Sequence, residues 1–437
     1  MLRPQLLRGM RDFSPEQMIV RQKIIGMFRE IFERHGFEPI DTPALEYYET
    51  LTGNYADNEK LIYHFPDHGG REIALRYDLT VPMARFVALH QRDLNFPFKR
   101  YHIAPVWRAD RPQRGRYREF WQCDADVVGV ESMLADADVV SIIVEALAAV
   151  NLPNAVVHIN HRRLLEAVAI YAGVAPEQAG SVYRSIDKLD KIGPAGVVDE
   201  LQQTGVDAVA AGRIVDLISM KGAPDELLAV ADERLVGIER ADRAIHELEQ
   251  LFDYLAALGV PERNYTFDLA LARGLGYYTG PVYEATVTEP QIGSLAGAGR
   301  YDGLIGRFQK QDIPATGISL GLERIIDVVE ELNLIDVPRS ISQVLVTIFN
   351  EETVNAALTL TAELRESGLR AETFLDPTRN LGRQLQYADR RGIPFAVVLG
   401  PEEIVNGTVA VKDLVSGEQV GMPRADAAGY IQARLSG

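Results

Sequence analysis

The chain has 437 residues, a formal net charge of -17 and a pI of about 5.0. This length predicts two or three domains, and 47% hydrophobic residues are enough to form real cores. The acidic balance argues against a general nucleic-acid coat protein but permits a local basic surface for one particular nucleic acid. The single cysteine, Cys123, excludes an internal disulfide framework and a Cys-rich zinc site, so a reducing cytoplasm is expected. No apolar stretch has the length needed to span a bilayer.

The N-terminal part predicts a long helix followed by a strand. Ser14-Pro15-Glu16 supplies an N-cap, a proline at the first helical position and an acidic first turn. Apolar residues at helical spacing then continue to Gly36, where the helix is expected to end. Residues 37–43 predict a strand that leads into a proline turn.

A second strand and helix are predicted further along the chain. The strand covers residues 73–77, and Asp78-Leu79-Thr80 caps a helix over residues 81–91. Asp78 and Thr80 either serve only as caps or also present oxygen acceptors to a bound amine. Beyond them, residues 133–150 predict another helix, rich in Ala, Val and Ile.

Residues 99–128 predict a β-hairpin, with an approach strand over 99–107 and a return strand over 116–128. Alternate residues of the return strand share one face, which runs from cationic through aromatic to acidic. These residues are Arg116, Arg118, Phe120, Gln122, Asp124 and Asp126. A solvent-exposed arginine-rich turn is the simple explanation. The gradient instead favours a ligand with a polyphosphate and a base at one end and an ammonium at the other.

Residues 164–332 show two further features. Residues 164–258 are strongly helical between strand-rich segments and therefore predict an insertion, whose charges are either a solvated face or a contact with a large substrate. Strand signals return at 265–268, and glycine-rich segments follow at 271–286, 293–304 and 316–332. Each glycine cluster brackets an arginine or a tyrosine, which fits backbone held close to a ligand.

After a linker around residues 337–340 the pattern changes to regular α/β alternation, which predicts a separate C-terminal domain. Strands are predicted at 343–349, 369–375 and 395–399, with helices at 352–367 and 381–391. A hairpin that turns at Asn406-Gly407 and a last helix from about Ala425 complete it.

Several motifs, taken together and in this order, carry a family resemblance. They are R-G-M-R-D-F-S-P-E at 8–16, the helix and Pro43 strand, R-A-D-R-P-Q-R-G-R-Y-R-E-F-W-Q-C-D-A-D at 108–126, L-A-R-G-L-G-Y-Y-T-G at 271–280, A-G-A-G-R-Y-D-G at 296–303 and G-L-E-R at 321–324. Nearly the whole chain resembles histidyl-tRNA synthetase, a class II aminoacyl-tRNA synthetase. The resemblance implies a catalytic domain with an antiparallel sheet flanked by helices, a helical insertion, and a C-terminal α/β anticodon-binding domain. The expected limits are 1–163 and 259–334 for the catalytic domain, 164–258 for the insertion and 340–437 for the last domain.

The activity that the resemblance implies is ATP-dependent attachment of L-histidine to tRNA(His) through a histidyl-adenylate, in a cytoplasmic homodimer that uses Mg²⁺. The sequence gives no set of metal ligands. A histidine-sensing, synthetase-like regulatory subunit of ATP phosphoribosyltransferase is the alternative. That paralogue generally lacks the anticodon-binding domain and the catalytic arginines. A ligase that makes adenylates without tRNA is a third possibility.

The resemblance also assigns roles to the ATP-binding residues. Arg108 and Arg273 are the catalytic arginines, and Arg108 also binds the α-phosphate. Phe120 and Arg324 hold the adenine between them. Arg116 binds the outer phosphates, and Arg118 is a further candidate for the same role.

The histidine-binding residues follow by the same resemblance. They are Asp78, Thr80, Gln122, Asp126, Arg273, Tyr277, Tyr278 and Tyr301. The first three offer acceptors to the ammonium, while Asp126 accepts from one ring nitrogen and Tyr278 donates to the other. Because such a site leaves buried polar groups unpaired with any other amino acid, no editing domain is expected.

Two positions depart from the family pattern. Gly276 stands where many members carry Asp, which puts in doubt a carboxylate beside Arg273. Asp126 is one methylene shorter than the Glu common in bacterial members. For the tRNA acceptor end, Gln113 and Arg114 in the hairpin loop are candidates.

Overall fold

The structure is a computed structural model that describes residues 2–53, 56–175, 178–272 and 277–436. The chain forms two compact units, the first comprising Met1–Asp12 and Ile24–Ile335, the second Phe13–Lys23 and Asp336–Gly437. No helix in the described part of the chain is long and apolar enough to cross a membrane.

Among its described residues, the first unit is built on an eight-stranded sheet in the order β1-β5-β6-β11-β10-β9-β7-β8, beside a small sheet in the order β2-β4-β3. Its strands are β1 (Glu38–Pro39), β2 (Leu45–Tyr47), β3 (His64–Pro66), β4 (Glu72–Leu75), β5 (Phe98–Trp107), β6 (Glu119–Val128), β7 (Val156–His161), β8 (Tyr265–Phe267), β9 (Pro281–Thr286), β10 (Ala296–Arg300) and β11 (Ala315–Gly321). The pairs β1–β5 and β7–β8 are parallel and the other pairs in both sheets are antiparallel.

Helices flank these sheets. Helix α1 (Pro15–Arg34) belongs to this unit from Ile24 onward. The other helices are α2 (Tyr48–Leu51), α3 (Thr80–His90), α4 (Met133–Ala149), α5 (Arg162–Tyr171), α6 (Ala179–Ile186), α7 (Leu189–Gln203), α8 (Ala208–Ile218), α9 (Pro224–Arg234), α10 (Glu239–Ala257) and α11 (Leu322–Glu331). The predicted helical block corresponds to α5–α10, which lies in the chain between β7 and β8, two strands that pair with each other in the sheet. Helix α4 begins at Ser132, whose side chain accepts from the Leu134 amide, and it buries most of its apolar side chains.

The predicted hairpin is present. Strands β5 and β6 pair from Phe98–Val128 to Trp107–Glu119, so the return strand begins three residues later than predicted. Beyond the ladder, the Arg108 amide still donates to the Arg118 carbonyl at 2.9 Å. Strand β6 pairs on its other side with β11, which places the hairpin next to the G-L-E-R segment that begins α11.

The second unit has a five-stranded sheet in the order β13-β12-β14-β15-β16, in which β13, β12 and β14 are parallel. Its elements are β12 (Val344–Val346), α12 (Val354–Glu366), β13 (Ala371–Thr373), α13 (Leu381–Arg391), β14 (Phe395–Val398), α14 (Pro401–Asn406), β15 (Thr408–Asp413), β16 (Gln419–Pro423) and α15 (Ala427–Ser436). The predicted fold class, an antiparallel catalytic sheet with helices, a helical insertion and a terminal α/β domain, is confirmed.

The hairpin turn predicted at Asn406-Gly407 is wrong. Asn406 ends helix α14, and Gly407 is its left-handed C-cap with φ of +65°. The strands β15 and β16 instead turn after Asp413, whose Oδ1 accepts from the amides of Val415 and Ser416. Asn-Gly satisfies the φ requirement of a helix end as well as that of a hairpin turn, so the dipeptide alone does not separate the two.

Candidate active site

The first unit contains a cavity of about 430 Å³ along the hairpin and the start of α11. Its walls come from the hairpin, from Tyr277 and Tyr278, from the segment 294–297 and from the β11–α11 junction. Seven residues predicted to bind histidine or ATP line it: Arg108, Arg116, Phe120, Gln122, Tyr277, Tyr278 and Arg324. Residues separated by more than 200 positions in the sequence therefore share one cavity.

Two of the three predicted key arginines lie in this cavity. The Arg108 guanidinium carbon lies 4.3 Å from the Tyr77 ring centroid and 5.0 Å from that of Phe120, and its Nε donates to the Tyr77 carbonyl at 3.1 Å. Arg324 donates through Nε to the Gly115 carbonyl at 3.0 Å and through Nη1 to the Ser294 carbonyl at 2.7 Å. Backbone carbonyls therefore help to orient both guanidinium groups in the cavity wall.

A tight turn places Arg116. The amide and carbonyl groups of Gln113 and Arg116 bond to each other at 2.9 and 3.1 Å, and Gly115 between them has φ of +69°. A side chain at Gly115 would meet Arg324, so the glycine brings the loop close to that arginine. The turn aims Arg116 into the cavity.

Arg118 has a different position from the one its alternation with Phe120 predicted. It does not line the cavity, and it donates through Nε to the Asp110 carbonyl and through Nη1 to the Arg8 carbonyl, both at 3.1 Å. Its amide also donates to the Gly9 carbonyl at 2.9 Å. Arg118 thus fastens the N-terminal segment to the hairpin loop. The alternation rule did not apply because residues 116–118 precede the strand.

Glu323 lines the cavity, although the sequence motifs predicted no role for it. Its Oε1 accepts from the Trp121 amide at 3.1 Å and its Oε2 pairs with Arg11, whose guanidinium carbon lies 3.3 Å from the Tyr117 ring centroid. This contact joins α11, the hairpin and the N-terminal segment. The signal was present in the sequence, because Arg11 and Glu323 both belong to the quoted motifs.

The other end of the cavity carries groups suited to an amino acid. Gln122 donates through its amide to the Ser319 hydroxyl at 2.5 Å, and both residues line the cavity. The Tyr277 and Tyr278 rings lie 4.7 Å apart, and Tyr301 meets Tyr277 edge-on at 6.1 Å. Burial raises the pKa of all three tyrosines, so their hydroxyls remain protonated donors.

Four predicted histidine-binding residues are not part of the cavity lining: Asp78, Thr80, Asp126 and Tyr301. Asp78 caps helix α3, its Oδ1 accepting from the amides of Thr80 and Val81 at 3.1 and 3.0 Å, so the capping role is observed. Asp126 is buried, its Oδ1 accepts from the Tyr301 hydroxyl, and its Oδ2 lies 2.5 Å from Arg100 Nη2. Burial raises the pKa of Asp126, while Arg100 and Tyr301 lower it.

The remaining predicted residue, Arg273, lies outside the described residues, as does Gly276. Tyr277, which follows directly in the chain, lines the cavity. The roles assigned to Arg273 and to the departure at Gly276 therefore stay predictions.

Comparison with known proteins identifies the family. A model described as histidyl-tRNA synthetase matches residues 9–325, and a model described as an anticodon binding domain matches residues 343–434. A histidine--tRNA ligase from Aeropyrum pernix is 43% identical over 444 residues and covers 99% of each chain. One from Gloeobacter violaceus is 42% identical over 458 residues, covering 98% of each.

Solved structures agree with the sequence relatives. The crystal structure of histidyl-tRNA synthetase from Nostoc sp. PCC 7120 has a TM-score of 0.90 at 35% identity, covering 99% of this chain and 100% of that one. An ATP phosphoribosyltransferase regulatory subunit/histidyl-tRNA synthetase from Bacillus halodurans C has a TM-score of 0.76 at 24% identity, which shows a shared fold alone. The match to an anticodon binding domain over 343–434 favours a synthetase over the regulatory alternative. The chain belongs to the histidyl-tRNA synthetase family of class II aminoacyl-tRNA synthetases.

Proposed function

We infer that this member of the family is a histidine--tRNA ligase, which joins L-histidine to ATP as histidyl-adenylate and then transfers the histidyl group to tRNA(His). The observation that carries the inference is the cavity where Arg108, Phe120 and Arg324 meet Gln122 and Tyr278. It combines fixed cations and an aromatic ring with neutral hydrogen-bonding groups in the order that ATP and histidine require.

In the first step, a carboxylate oxygen of histidine attacks the α-phosphorus of ATP, and the bond from that phosphorus to the bridging oxygen of pyrophosphate breaks. Negative charge builds on the phosphate oxygens during this displacement. Arg108 is proposed to stabilise it from the cavity wall, because its guanidinium is already oriented by Tyr77. Arg273 is proposed to act with it, by family resemblance.

For ATP, the proposal places the adenine between Phe120 and Arg324, and the outer phosphates at Arg116. The ring of Phe120 and the guanidinium of Arg324 both line the cavity, as stacking requires. The two backbone bonds of Arg324 fix its plane before ATP arrives. Little conformational entropy would then be lost on binding.

For histidine, the ammonium is proposed to bind near Gln122, Asp78 and Thr80, and the ring between Tyr278 and the acidic part of β6 where Asp126 lies. Tyr277 and Tyr301 close the pocket around the ring. Gln122 supports this proposal because its side-chain oxygen accepts no hydrogen bond from a described residue. The polar lining favours rejection of other amino acids at binding, without an editing domain.

ATP is proposed to enter as its Mg²⁺ complex. The described residues contain no group of three or more His, Cys, Asp and Glu side chains that could hold a metal ion. The ATP phosphates would then supply most of the oxygen atoms that coordinate Mg²⁺. Asp110 and Glu323 are the carboxylates of the cavity wall. Since Trp121 and Arg11 engage Glu323, Asp110 is the candidate for reaching the cation.

The tRNA is proposed to meet both units. The second unit would bind the anticodon, as its family match suggests. At the acceptor end Gln113 and Arg114 remain the candidates, and the exposed Arg114 pairs with Glu331 in the structure. A cytoplasmic homodimer and the domain limits 1–163, 164–258, 259–334 and 340–437 are part of the same proposal.

The test is charging of purified tRNA(His), together with histidine-dependent ATP–pyrophosphate exchange, by the wild type and by Arg273→Ala. The wild type is expected to do both. Arg273→Ala is expected to lower exchange by roughly 10²- to 10³-fold, the usual effect of removing one preorganised charge stabiliser, while histidine still binds. Absence of exchange in clean wild-type protein would favour the regulatory alternative, and exchange without charging would favour an adenylate-forming ligase. Unchanged turnover in the variant would refute the role of Arg273.

A further inference from the structure

The two residues proposed to hold the adenine, Phe120 and Arg324, come from different segments of the chain, and one side-chain contact links these segments beside the site. The Trp121 amide donates to Glu323 Oε1 at 3.1 Å. Trp121 directly follows Phe120, and Glu323 directly precedes Arg324. The ladder of β6 with β11 ends before these residues, so the contact continues the connection between the two segments up to the adenine site.

Glu323 lies among cations that suit an anionic ligand. Its side chain is 6% exposed, and it lines the same cavity as Arg108, Arg116 and Arg324. A carboxylate in such a place needs a counter-charge, because its charge is costly to bury and would repel the phosphates of ATP. Arg11 supplies a counter-charge by pairing with Glu323 Oε2.

Arg11 belongs to the N-terminal segment, which lies close against the hairpin loop. Its guanidinium carbon is 3.3 Å from the Tyr117 ring centroid, so a cation–π contact and an ion pair orient the same group. Two positions earlier, Gly9 has φ of +86°, and a Cβ there would lie 2.7 Å from Pro112 Cγ. The segment is thus fitted to the hairpin, although Arg11 itself does not line the cavity.

We propose that Arg11 is a positioning residue for the adenine of ATP. By fixing the Glu323 carboxylate, it fixes the spacing between Phe120 and Arg324 before ATP binds. Arg11 acts through Glu323 and does not touch the nucleotide. This inference rests on the proposed function and deepens it, because it adds a residue of the N-terminal segment to the ATP site.

The loss of Arg11 has a definite physical consequence. The Glu323 carboxylate is expected to turn toward the cations of the cavity, because a buried charge that loses one partner is attracted to the next. The Trp121 amide then loses its acceptor, and the two sides of the adenine site are no longer linked. ATP has to restore their spacing when it binds, which lowers its affinity. The histidine end of the cavity is expected to keep its affinity, because neither contact belongs to it.

The experiment measures histidine-dependent ATP–pyrophosphate exchange by full-length wild type, Arg11→Ala, Arg11→Lys and Arg3→Ala. Arg3 is the matched control, since it is an exposed arginine of the same N-terminal segment. The exchange reaction yields separate KM values for ATP, histidine and pyrophosphate. Because pyrophosphate lacks the adenine, its KM reports on the phosphate-binding cations and not on the adenine site.

For Arg11→Ala we expect the KM for ATP to rise about tenfold, the scale of one lost hydrogen bond to a charged group. The KM values for histidine and pyrophosphate are expected to stay close to those of the wild type. Arg11→Lys keeps the charge and is expected to recover most of the loss, and Arg3→Ala is expected to match the wild type. An unchanged KM for ATP in Arg11→Ala overturns the proposal. An equal rise for ATP and pyrophosphate also overturns it, because Arg11 would then act on the phosphates.

Thermal unfolding of each variant separates this role from a merely structural one. A lower melting temperature of Arg11→Ala with an unchanged KM for ATP would make Arg11 a stabilising residue only, against the proposal. If Arg11→Ala fails to fold, Arg11→Gln takes its place with the same expected rise, since it keeps a long side chain near Tyr117 without the charge. Absence of histidine-dependent exchange in the wild type would instead overturn the proposed function, so the two failures are distinct.

Discussion

Two fully buried carboxylates in the first unit have opposite surroundings. Asp136 of α4 accepts from the Tyr283 hydroxyl at 2.9 Å and the Thr316 hydroxyl at 2.8 Å, and pairs with Arg300. Asp124 of β6 has fewer donors around it: Ser319, which stands opposite on β11, and the buried Arg100 both act to lower its pKa. Burial raises the pKa of both. The difference is in the number of donors, and it predicts that Asp136 contributes more to the stability of the fold than Asp124 does.

Asp136→Ala provides the largest expected effect. Removing this carboxylate breaks the fully buried ion pair and leaves Arg300 with the more exposed Asp302, at 3.3 Å, as an acidic partner. The expected cost is about 3 kcal/mol of unfolding free energy, the lower end for a broken buried pair. Arg300 also donates to the Val130 carbonyl at 2.9 Å, so it stays in place when the pair is broken. The urea midpoint measures the loss.

Asp124→Ala is the control for Asp136→Ala, since it removes the same groups at equal burial. Its urea midpoint is expected to fall less than that of Asp136→Ala, because fewer donors lose their acceptor. Equal losses in the two variants would show that donor number does not distinguish the two sites.

Glu247→Gln tests a third carboxylate, on α10, that is rich in donors. His161 Nε2 at 2.7 Å, Arg163 Nη1 at 3.0 Å and Arg243 Nε at 2.8 Å surround it. Despite burial, these partners lower the pKa of Glu247 to about 2. At pH 7 the variant is expected to lose about 1 to 3 kcal/mol of unfolding free energy, as for hydrogen bonds to a charged group.

The stability difference between the wild type and Glu247→Gln is expected to depend on pH. A folded pKa below the ordinary value of 4.5 means that the stabilisation is complete above pH 4.5 and declines as the pH falls toward 2. Chemical denaturation at several pH values should show the gap between wild type and variant closing on acidification. A gap that is constant with pH would contradict the assignment of charge to Glu247.

Tyr283→Phe has the smallest expected effect. It removes one of the donors to Asp136 and is expected to cost about 1 kcal/mol of unfolding free energy, without changing the KM for histidine. Tyr301→Phe is the matched variant, because its hydroxyl donates to Asp126. It is expected to change the KM for histidine. A shift of that KM by Tyr283→Phe alone would reverse the comparison.

The hairpin and most of the cavity were predictable from sequence because they follow local rules. Strand alternation placed Phe120 and Gln122 on one face, and both line the cavity. The ion pair of Arg100 with Asp126 was not predictable, since strand register, rather than any spacing in the chain, brings the two together. The same holds for Tyr301, which reaches Asp126 from beyond β10. A sequence motif identifies the residues of a site, but the tertiary fold decides which other side chains form ion pairs or hydrogen bonds with them.

The glycine at 317 limits how this pocket can be redesigned. Because a Cβ there would collide with the Asp126 carboxylate, the two positions can change only together. A library meant to admit bulkier or non-natural amino acids should vary 124 and 319 freely but couple 126 to 317. Variants that alter 317 alone are expected to be lost at expression rather than to acquire a new specificity.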